Sequence, residues 1–79
     1  MNASAKHLYI CLDNSGYEAS LERLKIYAAR PDPQAERLGQ LRIIDESGES
    51  YLYQASRFVA ADLSRSTEQK VRDSLAEAK

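Results

Sequence analysis

Residues 40–54 read QLRIIDESGESYLYQ, two short runs rich in apolar and β-forming residues joined through Ser-Gly. Such runs around a tight turn predict a β-hairpin, with QLRIID as one strand, ESGE as the turn and SYLYQ as its partner. A shorter relative of the same pattern, CLDNSGYE, stands earlier, from Cys11 to Glu18. Both copies contain Asp-x-Ser-Gly, a pattern with a chemical and a conformational reading. An aspartic-protease dyad needs Asp directly before Ser or Thr, whereas here a residue intervenes. A calcium loop needs more alternating oxygen ligands and a closing bidentate Glu than either segment supplies. A serine hydrolase needs a base, and His7 is the one histidine in the chain. Turns need only short polar side chains for local hydrogen bonds and a Gly that takes positive φ. The turn reading is the expectation for both copies.

Length limits what can surround the hairpin. A chain of 79 residues reads as one domain, and a core of this size nets roughly 3–5 kcal/mol. Eleven Lys and Arg against twelve Asp and Glu leave a net charge of −1. No basic stripe is present, which argues against a dedicated nucleic-acid binder. The single cysteine, Cys11, forms no disulfide within the chain and sits in an apolar run, where a buried inert thiol is expected. The segment MNASAKHLYICLD holds neither a signal-peptide core nor a membrane span, so a reducing, cytoplasmic setting is expected.

Residues 1–5 carry no pattern and are expected to fray. From Lys6 to Asp13, Leu8, Ile10 and Leu12 alternate with His7, Tyr9 and Cys11, which predicts a strand with one face in the core. DNSGYEAS follows as a loop. Leu21 and Leu24 read as loop anchors and Lys25–Arg30 as a second strand, although Leu21, Leu24, Lys25 and Ala28 also satisfy helical spacing over Glu18–Tyr27. Asp32, Pro33 and Gly39 mark the cap, first residue and stop of one helical turn. After the hairpin, ASRFVAADL predicts a helical turn and a brief closing strand. Residues 64–79 then read as an amphipathic helix, with Ser66 and Gln69 as a capping box and Val71, Leu75 and Ala78 on one face.

This order of strand, long loop, strand, loop, hairpin, helical turn and closing strand resembles a Src-homology-3-like barrel over roughly Leu8 to Leu63. LDNSGYEASLERL corresponds to the long first loop, RPDPQAERLG to the second, DESGE to the distal turn and YLYQASRFV to the closing stretch. The wording DNSGYEASLE, KIY and RIIDESGESYLYQASRFV is also similar to small uncharacterised bacterial proteins. The resemblance implies a mainly β domain over residues 6–63, a small five-stranded antiparallel barrel, followed by a C-terminal α-helix over residues 64–79. Peptide-binding members use aromatics of the first loop and of the closing turn. Here Tyr17 lies in the first loop and Phe58 takes the final aromatic place, where it is expected in the core. The family's Trp is missing and Gln54 stands where Pro is usual, which argues against proline-rich ligands.

The expected function is protein–protein contact through an exposed patch of Tyr17, Tyr51 and Tyr53, rimmed by Glu18 and Arg57. The alternative is a nucleic-acid- or ribosome-associated barrel, disfavoured by the near-neutral charge. A rival account of the tyrosines has Val71 and Leu75 of the terminal helix covering them. No catalytic residue, metal site, cofactor or small-molecule substrate is expected, since one His and one Cys fall below what either chemistry needs.

Overall fold

The structure, a computed structural model, describes residues 8–77, with side chains through Leu75. The expectations for residues 1–5, for His7 and for Ala78 lie outside the described residues. In chain order the elements are β1 (Leu8–Cys11), β2 (Ile26–Arg30), α1 (Pro33–Arg37), β3 (Gln40–Ile44), β4 (Ser50–Gln54), a 3-10 turn (Ala55–Arg57), β5 (Phe58–Ala60) and α2 (Arg65–Glu77). The strands form one sheet in the order β4-β3-β2-β1-β5, antiparallel throughout. The helical alternative for Glu18–Tyr27 is not formed: that stretch is turns leading into β2.

Strand β2 divides its pairing. Ile26 to Ala28 face β1, whereas Ala29 and Arg30 face β3. The sheet therefore curls about β2, and its inner face closes over one cluster of Cys11, Leu21, Tyr27, Leu41, Ile43, Tyr53 and Phe58. Curling brings Tyr53 of β4 within 6.2 Å of Phe58 of β5, ring centroid to centroid, although these are the two edge strands. No β4–β5 ladder joins the edges among the described residues, so the sheet is open.

Alternation decides which side chains enter the core. In β1 the cluster receives Cys11, with Tyr9 packed against it; of the expected face of Leu8, Ile10 and Leu12, Leu8 is fully buried outside that cluster and Ile10 is half-buried. Leu12 lies past the end of the strand and is exposed. Burial raises the Cys11 thiol above its ordinary value, as suits a packed side chain opposite Phe58.

Both Asp-x-Ser-Gly segments are turns of one design. Asp13 Oδ1 accepts from the Ser15 amide and Asp45 Oδ1 from the Ser47 amide, each at 2.9 Å. The glycines that follow have φ of +84° and +85°, a conformation in which a Cβ is strained. α1 is held by a reciprocal cap: Asp32 Oδ1 accepts from the Ala35 amide (3.1 Å), and Glu36 Oε2 from the Asp32 amide (3.2 Å). At the start of α2, Ser64 rather than Ser66 is the cap, its hydroxyl accepting from the Thr67 amide at 3.3 Å.

Two further expectations are corrected. Leu24 is no anchor: its side chain is 64% exposed and its φ is +69°. It occupies the tight turn into β2, where the Leu24 amide donates to the Cys11 carbonyl (2.7 Å). A Cβ-bearing residue in the left-handed region costs about 1–2 kcal/mol. Leu24→Gly is thus expected to stabilise the protein by about 0.5–1 kcal/mol, after the added entropy of the unfolded glycine. Urea titration of the two proteins measures this, and a lower midpoint for the glycine variant would contradict it. The terminal helix, in turn, does not cover the tyrosines. Arg72 and Leu75 of α2 line a groove with Ala28, Arg30 and Ile44, whose side chains alternate with the core residues. The helix therefore lies against the outer face of the sheet.

Candidate functional site

Tyr53 directly opposes Leu41 in the hairpin, and Tyr51 opposes Ile43. Because Leu41 and Ile43 are core residues, both tyrosines point toward the inner face rather than outward. The strand register therefore gives them different fates. Tyr53 lies over the middle of the core and is 6% exposed, while Tyr51 lies beside the turn and is 50% exposed. Tyr53 is a floor, not a member of an exposed patch.

Its hydroxyl is held at two points. It donates to Asp45 Oδ2 at 2.7 Å and lies 3.1 Å from Ser20 Oγ. Asp45 also accepts from the Ser47 hydroxyl at 2.6 Å. Burial alone would raise the Asp45 pKa, but the bonds from Ser47, Tyr53 and backbone amides outweigh it and hold the carboxyl below its ordinary value. Burial first, and then the Asp45 charge, raise the Tyr53 hydroxyl above its ordinary value. The pair is a carboxylate and a protonated phenol.

The first loop brings Tyr17 over this floor. Its ring meets Tyr53 edge to face, with centroids 5.0 Å apart and planes at 84°, and remains 43% exposed. Arg57 fixes the loop instead of rimming a patch. Its guanidinium donates to the carbonyls of Asp13 (3.1 Å) and Ser15 (3.0 Å), lies 3.5 Å from Asp13 Oδ1, and sits 4.8 Å from the Tyr17 ring centroid. Its own carbonyl accepts from the amides of Leu12 and Asp13. Asn14 Nδ2 donates to the Leu21 carbonyl (3.0 Å), and Leu21 seals the core beneath. Glu18 is exposed and accepts from the Gly16 amide (3.3 Å).

A second clasp joins this loop to the hairpin turn. The Glu46 amide donates to the Ser20 carbonyl (3.0 Å), and Glu46 Oε2 accepts from Lys25 Nζ (2.8 Å) and from the Tyr27 hydroxyl. Those two bonds hold the Glu46 carboxyl below its ordinary value. Burial and Glu46 together keep the Tyr27 hydroxyl protonated, well above its usual range. Loop and turn are thereby tied at Tyr27, Glu46 and Tyr53.

The result is a shallow groove of about 470 Å³ lined by Tyr17, Ser20, Asp45, Ser47, Tyr51, Leu52 and Tyr53. Three of the five residues expected at a binding patch meet there, Tyr17, Tyr51 and Tyr53; Arg57 supports the groove from behind Tyr17, and Glu18 is not among its lining residues. Asp45, Ser20 and Ser47 were not legible as site residues. Counting outward from Leu41 and Ile43 through the hairpin would have turned both tyrosines inward and placed the Asp45 turn beside them. A second concavity, of about 510 Å³, lies between the sheet and α2. Compared with known proteins, the chain matches no protein-family model, no curated protein and no solved structure.

Proposed function

We propose that this protein is a small, non-catalytic binding module that docks an extended segment of a protein partner in the groove between the first loop and β4. The observation that carries this reading is the exposure of Tyr17 and Tyr51 beside the buried Tyr53 within one groove. Tyrosine suits such a surface, since it offers apolar area, a hydroxyl for orientation and few rotatable bonds to freeze. The loop is already ordered by Arg57, Asn14 and Ser20, so docking loses little further chain entropy. Strand order, the long first loop and the helical turn before β5 support a Src-homology-3-like small barrel as the scaffold. Among the described residues no helix is long and apolar enough to cross a membrane, and a buried free Cys11 fits a reducing cytoplasm. Asp45 in the groove and Glu49 beside Tyr51 make it a poor seat for phosphates, which disfavours the nucleic-acid alternative.

Peptides selected from a random displayed library provide the test. The selected peptides are expected to shift the amide resonances of Tyr17, Ser47 and Tyr51 in the labelled protein. Tyr17→Ala and Tyr51→Ala are each expected to weaken binding about tenfold or more. Tyr51→Ala should leave the unfolding free energy within about 0.5 kcal/mol of the parent, while Tyr17→Ala, which loses its contacts with Tyr53 and Arg57, should cost about 0.5–1.5 kcal/mol without unfolding the domain. Peptides that keep full affinity for both variants would show that the groove is not the docking site.

A further inference from the structure

The charges around the groove are unevenly compensated. Three carboxylates of the surrounding loops and strands have cationic partners: Asp13 has Arg57, Asp32 has Arg42 and Glu46 has Lys25. Asp45 and Glu49 have none among the described residues. Asp45 is buried, and its bonds come from neutral donors, the Ser47 amide and hydroxyl and the Tyr53 hydroxyl. Glu49 Oε1 accepts from the Tyr51 hydroxyl at 3.1 Å. The groove therefore carries the Asp45 charge among three tyrosine rings, with Glu49 bonded to the Tyr51 hydroxyl at its edge, and neither carboxylate has a counter-cation among the described residues.

Resting on the docking role proposed above, we infer that the groove receives a cationic side chain of the bound segment, a lysine ammonium or an arginine guanidinium, beside the Asp45 carboxylate and against the faces of Tyr17 and Tyr51. Both attractions favour a cation. Ring faces carry the negative side of the aromatic quadrupole, and the effect grows where water is excluded. Each of Tyr51 and Tyr53 donates its hydroxyl proton to a carboxylate, which orients the phenol and leaves its ring electron-rich. A buried carboxylate is screened less than one on an open surface, and Asp45 is 6% exposed while Glu18 is exposed, so a cation beside Asp45 gains more than at Glu18. Arg57 does not supply this charge. It lies over the Tyr17 ring and is engaged by Asp13 and two loop carbonyls, and it is not among the groove's lining residues. A neutral segment would leave the Asp45 and Glu49 charges uncompensated, and an acidic one would be repelled.

The probes are the blocked tripeptide acetyl-Gly-Arg-Gly-amide and its citrulline counterpart, which has nearly the same shape without the charge. Each is titrated into the full, isotope-labelled chain at low ionic strength and followed by amide shifts. The arginine probe is expected to move Tyr17, Ser47 and Tyr51 and to bind about tenfold more tightly than the citrulline probe. Asp45→Asn and Glu49→Gln should each reduce that difference, as should added salt. Glu49→Gln changes an exposed turn residue, so it decides the matter even if Asp45→Asn unfolds. Equal binding of the two probes in the groove, or arginine affinity unchanged in Glu49→Gln, would overturn the cation inference and leave the docking role standing. Failure of both probes to move Tyr17 or Tyr51 would also overturn it, and the library-selected peptides then decide the docking role independently.

Discussion

Leu21→Ala is expected to leave the protein largely unfolded at room temperature. Leu21 comes from the first loop and not from a strand, yet it is 1% exposed and packs in the cluster with Cys11, Tyr27, Ile43, Tyr53 and Phe58. An open, curled sheet this short cannot cover its own inner face, and Leu21 is the loop side chain that does so. Truncating a fully buried leucine costs about 2–5 kcal/mol, because the lost transfer energy is joined by the energy of the cavity left behind. That is comparable to the roughly 3–5 kcal/mol a core of this size supplies. The nearby Leu24→Ala is the control: the side chain is exposed, and a change within about 0.5 kcal/mol is expected. Urea denaturation followed by circular dichroism distinguishes the two. A loss below about 1 kcal/mol for Leu21→Ala would mean that the loop settles inward and that Leu21 does not hold the core.

Asp45→Ala is expected to cost about 2–3 kcal/mol, the largest loss from any single polar side chain here, because it strips a buried hydroxyl and a turn of a charged acceptor. The Tyr53 hydroxyl and both the amide and hydroxyl of Ser47 lose their partner at once. The same carboxylate makes the protein acid-sensitive, and Glu46 adds to the effect. Both groups have folded pKa values below their unfolded ones. As pH falls the unfolded chain therefore takes up protons first, so stability present at neutral pH is lost on acidification. The decline begins near about pH 5, just above the unfolded carboxyl values, and continues down through the folded ones. Asp45→Asn keeps the shape without the charge and should flatten this acid limb. Denaturation midpoints across the range from about pH 7 to about pH 3 measure it. A wild-type midpoint that does not fall on acidification, or an Asp45→Asn protein with an unchanged slope, would show that the carboxylate does not stabilise the turn.

Features made by neighbours along the chain were legible in the sequence. Asp13 with Ser15 and Asp45 with Ser47 bond across two residues, and Asp32 reaches Ala35 across three. These bonds depend on local backbone geometry alone, so composition and spacing determine them. The same holds for the hairpin and for the breaks at Gly39 and after the 3-10 turn, which place Phe58 at the start of β5 and in the core. Where two local solutions were equivalent, spacing could not choose. Ser64 and Ser66 each have a polar residue three positions on, so the cap was misassigned; in β1 both alternating sets are apolar, and the strand buries Leu8 from one and Cys11 from the other, where a single buried face was expected.

The groove belongs to the other class. Arg57 meets Asp13 and Ser15 across more than forty residues, and Tyr53 meets Ser20 across 33. Glu46 joins Tyr27 across 19. No periodicity carries such pairings, because they arise only when the sheet curls about β2 and loop and turn converge over one face. The sequence by itself determined the turns, the cap of α1, the strands and the presence of exposed tyrosine. Only the tertiary structure decided that Tyr53 is buried while Tyr17 and Tyr51 are open, and that Asp45 stands among them with no counter-cation among the described residues. The reason is physical. A turn is settled by bonds within a few residues, whereas burial and charge compensation depend on which distant surfaces the folded chain brings together.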